Sequence, residues 1–101
     1  MTIADTIYQQ LGGGRFAAMT GAKNFISDGD SLHMRIGRNK TNNNYLIVTL
    51  NGKDLYDMEF GQVTKMAEKR SVKTYTDVYC DGLRQVFESH TGMYTSLFGE
   101  F

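Results

Sequence analysis

The hairpin-forming stretch YLIVTLNGKDLYDMEF, residues 45–60, constrains how the rest of this chain is arranged. The pair Asn51-Gly52 lies between two apolar runs and predicts a β-hairpin with a two-residue turn, in which both central residues have positive φ. Such a turn sets Leu50 opposite Lys53. One predicted face carries Tyr45, Ile47, Tyr56, Met58 and Phe60, and the other carries Leu46, Val48, Leu50 and Leu55 beside Asp57 and Glu59. Because neither face is fully polar, we expect the protein's own helices to cover one face and a partner to cover the other.

Around this hairpin, the spacing of apolar residues predicts a helix near each end of the chain and strands between them. Before the hairpin, the predicted elements are a helix over 2–11 ended by Gly12–Gly14, a strand over 16–20, a polar connection over 21–31, a strand over 32–36 and an exposed loop over 38–44. After the hairpin, a charged linker is predicted over 61–71. An amphipathic helix then begins at Val72, contains Gly82 and ends at Gly92, and a docked tail follows over 93–101. This order indicates a single α+β domain, residues 1–101. Its antiparallel β-sheet has about four strands, including the 45–60 hairpin, flanked by the N-terminal helix and the C-terminal amphipathic helix.

The composition is that of an ordinary folded domain. The chain has 101 residues, of which 41% are hydrophobic and 22% charged. Its single cysteine, Cys80, excludes an internal disulfide and fits a reducing compartment. The first residues lack the basic region and apolar run of a secretory signal, and no apolar run is long enough to cross a bilayer. We therefore expect a cytoplasmic protein without a membrane partner.

The charges are unevenly distributed although the net charge is zero. Residues 15–53 hold six basic and two acidic side chains, and residues 65–73 hold four basic and one acidic. Such separation attracts an anionic partner to one side of a protein without making the whole protein basic. A non-specific duplex binder more often has a clear net positive charge, so the pattern permits a nucleic acid without requiring one.

The candidate binding residues are basic side chains that alternate with aromatic ones in the first half of the chain. Positive charge for phosphate beside a ring for stacking is what a nucleotide or a single-stranded nucleic acid requires, and Phe16 and Phe25 offer such rings. The alternative is a solubilising basic surface with both rings in the core. The predicted ligand-binding set is Arg15, Lys23, Asn24, Phe25, Arg35, Arg38 and Lys40.

Other patterns in the sequence are better explained by structure than by chemistry. Gly12–Gly14 follow a predicted helix and precede a predicted strand, so they suit a helix end rather than a phosphate-binding loop. Cys80 is expected beside the apolar stripe of the last helix, without the basic neighbour that a reactive thiol needs. His33 is expected on the polar side of a strand, and His90 in the last turn of a helix.

The acidic residues of the hairpin do not form a metal or acid–base site in the predicted register. Asp54 faces away from Asp57 and Glu59, so the three carboxylates cannot converge. The sequence also contains no HExxH, CxxC, DxDxDG or GxSxG motif. We therefore expect no catalytic residue, no metal and no cofactor, and a binding protein rather than an enzyme.

Three segments, LGGGRFAAMTGAKNF (11–25), NYLIVTLNGKDLYDMEF (44–60) and DVYCDGLRQVFESHTGMYTSL (77–97), resemble a family of small proteins encoded by bacteriophages, plasmids and other mobile elements. That family has similar RFxAMTGAKNF and TLNGxDxYDMEF blocks in the same order. Gly14 and Arg15 stand where relatives often have a polar residue and a lysine. The resemblance implies an accessory protein that acts inside a bacterial cell, and it transfers no catalytic residue and no ligand.

Together these patterns predict a small non-enzymatic protein that binds a host or defence component, or an anionic nucleotide. One alternative is a single-stranded DNA- or RNA-binding protein in replication, recombination or regulation. Another is a structural or self-assembling component, because a hairpin that is apolar on both faces can also pair with a second copy of itself, giving a homo-oligomer.

Overall fold

The computed structural model describes residues 3–37, 43–63 and 69–93. In chain order its elements are α1 (Ile3–Leu11), α2 (Gly13–Thr20), β1 (Lys23–Asp28), β2 (Ser31–Arg35), β3 (Tyr45–Leu50), β4 (Tyr56–Val63), β5 (Lys69–Val78), a 3-10 turn (Cys80–Gly82) and α3 (Leu83–Thr91). Four predicted parts of the chain lie outside the described residues: the first residue of the predicted N-terminal helix, most of the predicted loop, the middle of the predicted linker, and the predicted tail beyond Met93.

The strands form one antiparallel sheet in which each strand pairs with its neighbour in the chain, in the order β1-β2-β3-β4-β5. The predicted α+β class with helices near both ends is confirmed, with five strands rather than about four. The turns at 29–30 and 51–55 lie at one end of the sheet, which we call the turn end. Gly37, Asn43 and Val63 lie at the opposite end, which we call the connection end.

The predicted 45–60 hairpin is confirmed as β3 and β4, but its predicted turn and register are wrong. Leu50 lies opposite Tyr56 rather than Lys53, so residues 51–55 form a five-residue loop. Gly52 does not have positive φ, whereas Asp54 has a φ of 60°. The register differs by three residues, an odd number, so the side chains of β4 change face relative to those of β3. The residues that share a face are Leu46, Val48, Leu50, Tyr56, Met58 and Phe60.

The side chain of Asn51 explains why the longer loop forms. Its Oδ1 accepts hydrogen bonds from the backbone N–H groups of Lys53 at 2.8 Å and Leu55 at 3.2 Å. Its Nδ2 donates to Asp57 Oδ1 at 3.1 Å and to Asp77 Oδ1 at 3.0 Å. An asparagine that satisfies backbone groups two and four residues ahead replaces the hydrogen bonds of a tight turn. It also ties the loop to β4 and β5.

The three helices cover one face of the sheet and bury a single apolar cluster. β2, β3 and β4 supply alternating side chains to this face, as half-buried strands do. The fully buried members of the cluster, each at 0% exposure, are Ile7, Leu11, Phe16, Leu46, Val48, Met58, Phe60, Leu83 and Phe87.

The segment 16–20, predicted as a strand, is helical and belongs to α2. Phe16 and Thr20 are four residues apart and both buried, which is the spacing of one helix face. The residues between them include two alanines and a methionine, which favour helix. Gly12, with a φ of 124°, lets the chain bend between α1 and α2. Gly12 is therefore the N-cap of a helix that Gly13 and Gly14 begin, and no strand follows the glycine run.

The segment 21–31, predicted as a polar connection, contains β1. Lys23–Asp28 are all exposed, so an apolar alternation could not reveal the strand. The chain reverses between Asp28 and Ser31 through a two-residue turn. Gly29, its first central residue, has a φ of 59°, and glycine at this position is a recognised hairpin signal.

The helix predicted from Val72 begins only at Leu83. The preceding residues 72–78, VKTYTDV, are mostly β-branched or aromatic and form the greater part of β5. The spacing of Tyr75 and Val78 suits one face of a helix, yet the same spacing occurs in a strand that contains a bulge. Gly82 consequently precedes α3 rather than lying within it. The predicted stop at Gly92 is confirmed.

α2 and α3 end in the same way. Both contain the sequence Phe-x-x-x-Thr-Gly, at 16–21 and 87–92. In each, the threonine hydroxyl donates to the phenylalanine carbonyl oxygen, at 2.7 Å in α2 and 2.8 Å in α3. The glycine is left-handed, and its N–H bonds to the carbonyl four residues earlier. The two phenylalanine rings meet edge to face with centroids 5.0 Å apart, so the paired helix ends are joined within the core.

The observed loop predicts that Asn51 matters more for stability than Gly52. Asn51→Ala removes the bonds to the loop and is expected to lower the free energy of unfolding in urea by about 1–3 kcal/mol. Gly52→Ala is expected to change it by less than about 0.5 kcal/mol, because Gly52 has ordinary φ and open space around it. A two-residue turn with positive φ at Gly52 would give the reverse order, and that result would contradict the observed loop.

Candidate functional site

The face of the sheet opposite the three helices carries the candidate site. No described helix packs on it, and we call it the open face. Its side chains form rows across β1 to β4, because directly paired residues point to the same side. The first row, nearer the connection end, consists of Lys23, Arg35, Tyr45 and Gly61. The second row consists of Ile26, His33, Ile47 and Glu59.

A β-bulge in β1 determines which of its side chains join the open face. Between the paired residues Lys23 and Ile26, β1 has two residues, Asn24 and Phe25, where β2 has only Met34. Asn24 has a φ of 57°, which asparagine tolerates better than most residues. Regular alternation would point Lys23 and Ile26 to opposite sides. The extra residue brings both to the open face.

Lys23 and Arg35 form a pair of adjacent cations at one edge of the open face. They are direct cross-strand partners, which places their Cβ atoms roughly 5 Å apart. Neither forms an ion pair with another described residue. Like charges directly opposite each other disfavour strand pairing. An anion bound between the two side chains would reverse the sign of that interaction.

A groove of about 380 Å³ lies beside this pair. It combines apolar walls with several polar groups, as small-molecule sites commonly do. Arg35 and Asn24 line it, and Lys23 is the cross-strand partner of Arg35. The lining residues are Asn24, Ile26, His33, Met34, Arg35, Tyr45, Ile47 and Val63.

Tyr45 forms the inner end of the groove and is held in place on both sides. It lies across from Gly61, and a side chain at that glycine would collide with the Tyr45 ring. Its hydroxyl donates to Glu59 Oε2 at 2.9 Å, and its residue is only 3% exposed. Burial, followed by the hydrogen bond and the charge of Glu59, raises the pKa of Tyr45 to about 12.

The two ends of the sheet carry opposite charge. Six of the seven aspartates of the chain lie at or next to the turn end, where Lys53 pairs with Asp77 at 3.1 Å. His33 lies 3.6 Å from Asp28 on the turn side of the open face. Lys23, Arg35 and Arg70 lie toward the connection end. The aspartates concerned are Asp28, Asp30, Asp54, Asp57, Asp77 and Asp81.

Three of the predicted ligand-binding residues come together on the open face. Lys23 and Arg35 are neighbours in the first row, and Asn24 lines the groove beside Arg35. Their convergence depends on the antiparallel pairing of β1 with β2 and on the bulge, neither of which the sequence revealed.

The other predicted binding residues lie away from the open face or outside the described residues. Arg15 belongs to α2, on the opposite side of the sheet. Phe16 is fully buried in the core, and Phe25 packs edge to face on Tyr8 of α1 with ring centroids 5.1 Å apart. Neither of the two rings proposed for stacking is therefore on the open face. Arg38 and Lys40 lie outside the described residues.

The apolar half of the groove is not evident from the sequence. Ile26, Ile47 and Tyr45 belong to rows that become visible only when the strand register is known. A signal was nevertheless present, because apolar residues on both sides of β3 predicted a second apolar face.

Polar contacts hold the residues just before β3, where the sequence predicts the end of an exposed loop over 38–44. Asn43 is 1% exposed, and its Oδ1 lies 2.7 Å from His90 Nε2 in α3. His90 Nδ1 lies 3.0 Å from the Tyr75 hydroxyl, and its ring stacks on Phe60 at 4.1 Å. A neutral His90 that carries its proton on Nε2 satisfies both hydrogen bonds.

Asn44 continues the ladder beyond the last regular pair of β3 and β4. Its side-chain Nδ2 donates to the Val63 carbonyl at 2.9 Å, and the Val63 N–H donates to its Oδ1 at 2.7 Å. The side-chain amide therefore imitates a strand partner and places Val63 against the groove.

Other candidate chemistry does not assemble in the described part of the chain. Within it, no group of three His, Cys, Asp or Glu side chains is placed to hold a metal ion. Asp57 accepts from Asn51 and from the backbone N–H of Asp77, and Glu59 from Tyr45. Cys80, expected beside the stripe of the last helix, is exposed in the 3-10 turn. Among the helices described, none has the length and apolar character that crossing a membrane requires.

Comparisons of the chain with protein-family models, with curated proteins and with solved structures found no match. The resemblance to proteins of mobile elements therefore stays a prediction from the sequence blocks.

Tyr45 predicts a specific loss of stability at alkaline pH. Its pKa is raised from 10.0 to about 12 on folding, so its contribution is complete below pH 10 and is lost as pH rises toward 12. Between pH 8 and 11 the free energy of unfolding should fall by about 1 kcal/mol more in the wild type than in Tyr45→Phe. Tyr79→Phe, at a residue 68% exposed, is the control and should behave like the wild type. If the free energy of unfolding changes with pH in the same way in all three proteins, that result would contradict the burial of the Tyr45 hydroxyl.

Proposed function

We propose that this protein acts by binding an anionic partner at the connection end of the open face. The observation that carries the proposal is the direct pairing of Lys23 with Arg35 beside the groove. Two cations that form no ion pair with another described residue, beside an apolar groove, favour a partner that brings both negative charge and apolar surface. Carboxylates gathered at the turn end orient such a partner toward the connection end.

The resemblance to mobile-element proteins suggests what this partner is in the cell. A small accessory protein of such an element would act in a bacterial host, by capturing a nucleotide or the acidic surface of a host or defence protein. A nucleotide and an acidic protein surface both carry negative charge that suits Lys23 and Arg35.

Two alternative functions have less support from the geometry. Binding of a single-stranded nucleic acid usually uses a series of exposed rings, whereas Phe16 is buried and Phe25 packs on α1. Self-assembly through strand edges is opposed by bulges in both edge strands, at Asn24 of β1 and next to Asp77 of β5.

Reversing the charge of the cation pair tests the proposal. We expect the wild-type protein, purified gently from bacterial cells, to carry a bound anionic species in native mass spectrometry, and Lys23→Glu/Arg35→Glu to lose it because repulsion replaces attraction. The control variant Arg15→Glu/Arg84→Glu changes the net charge by the same amount, but on the helix side of the sheet. It should retain the bound anionic species.

Circular dichroism would verify that all three proteins are folded. Retention of the species by Lys23→Glu/Arg35→Glu, or a wild-type protein that carries no anionic species, would contradict the proposal.

A further inference from the structure

We infer that the ligand of the groove is a nucleoside monophosphate, one phosphate group joined through a sugar to one planar base. This inference depends on the proposed function, because it uses the same face and names the chemical class of its partner. Four features of the described residues support it.

The first feature is size. The groove has a volume of about 380 Å³, near the lower limit of sites for small molecules. A groove of this size suits a ligand of about one nucleoside unit rather than a larger small molecule.

The second feature is the spacing of charge and apolar surface. Lys23 and Arg35 belong to the first row, and Ile26 and Ile47 belong to the second, on either side of His33. Adjacent same-face positions on a strand are about 6.8 Å apart. A phosphate at the first row would therefore place a base, one sugar away, over the isoleucines of the second row.

The third feature is the polar lining beside the isoleucines. The Asn24 amide both donates and accepts hydrogen bonds, as the edge of a base does. The His33 ring, with its side chain 29% exposed, adds a second polar contact. An alkyl chain with an acidic head would also satisfy the cations, but it would cover these polar groups without bonding them.

The fourth feature is the arrangement of aromatic rings. Tyr45 is the one phenylalanine or tyrosine among the residues that line the groove, and at 3% exposure with its ring against Gly61 it offers no surface for successive bases. A long single strand would thus gain one subsite and no continuous stacking, so the site favours a single nucleotide.

Isothermal titration calorimetry with the full chain tests this inference. The probes are AMP, GMP, CMP, UMP, adenosine and inorganic phosphate. We expect at least one of the four nucleotides to bind. If AMP binds, adenosine and inorganic phosphate should each bind at least tenfold more weakly than AMP. For the bound nucleotide, Arg35→Gln and Ile26→Ser should each weaken affinity at least tenfold.

Two matched controls separate the groove from general surface effects. Arg15→Gln removes an arginine of α2 on the helix side, and Val72→Ser removes an aliphatic side chain of β5 that is 56% exposed, close to the 59% of Ile26. Both should leave nucleotide affinity within twofold of the wild type.

The outcomes distinguish this inference from the proposed function. Binding of an oligonucleotide or an acidic protein that depends on Arg35, without binding of any mononucleotide, would overturn the inference and leave the proposed function in place. Nucleotide binding that is unchanged in Arg35→Gln would overturn the inference as well. Absence of any anion binding that depends on Arg35 would overturn both.

Discussion

The register between β3 and β4 is the constraint on which the rest of the structure depends. The Asn51 side chain holds residues 51–55 as a loop of odd length, and that length determines which side of β4 faces the helices. With this register, Tyr56, Met58 and Phe60 join the core. A shift by one residue would expose these side chains to solvent and bury Glu59 beneath the helices. The burial of apolar side chains and the hydrogen bonds of Asn51 therefore favour the same register between β3 and β4.

A second determinant is the bulge at Asn24, which makes the open face a site rather than a plain strand surface. It aligns Lys23 with Arg35 and Ile26 with His33, so charge and apolar surface fall in successive rows. A bulge also interrupts the regular edge of the sheet, which discourages pairing with another strand. The same irregularity thus creates the groove and protects the edge beside it.

The parts predicted correctly from the sequence are those in which the local pattern is strong. The N-terminal helix, the strand near Met34 and the 45–60 hairpin have clear periodicity, and all are present. β1 was missed because it buries none of its side chains, and α3 was started too early because bulges in β5 imitate helical spacing. Of the predicted binding residues, Lys23, Asn24 and Arg35 converge, and their binding of a ligand stays a prediction. Phe25 could not be assigned to a side, because a bulge leaves no mark in the alternation of residues.

The segregation of charge along the strands has a consequence for how the molecule behaves in solution. β4 spans eight residues, roughly 27 Å at 3.4 Å per residue, so its two ends are separated by more than twice the Debye length at physiological ionic strength. An electrically neutral chain of this kind has a large dipole moment, and an approaching molecule experiences only the end that it meets. Dilute salt would weaken the head-to-tail attraction between copies, so solubility should rise on salt addition, as it does for dipolar ions. The zero net charge of the chain therefore does not make the two ends of the described sheet electrically alike.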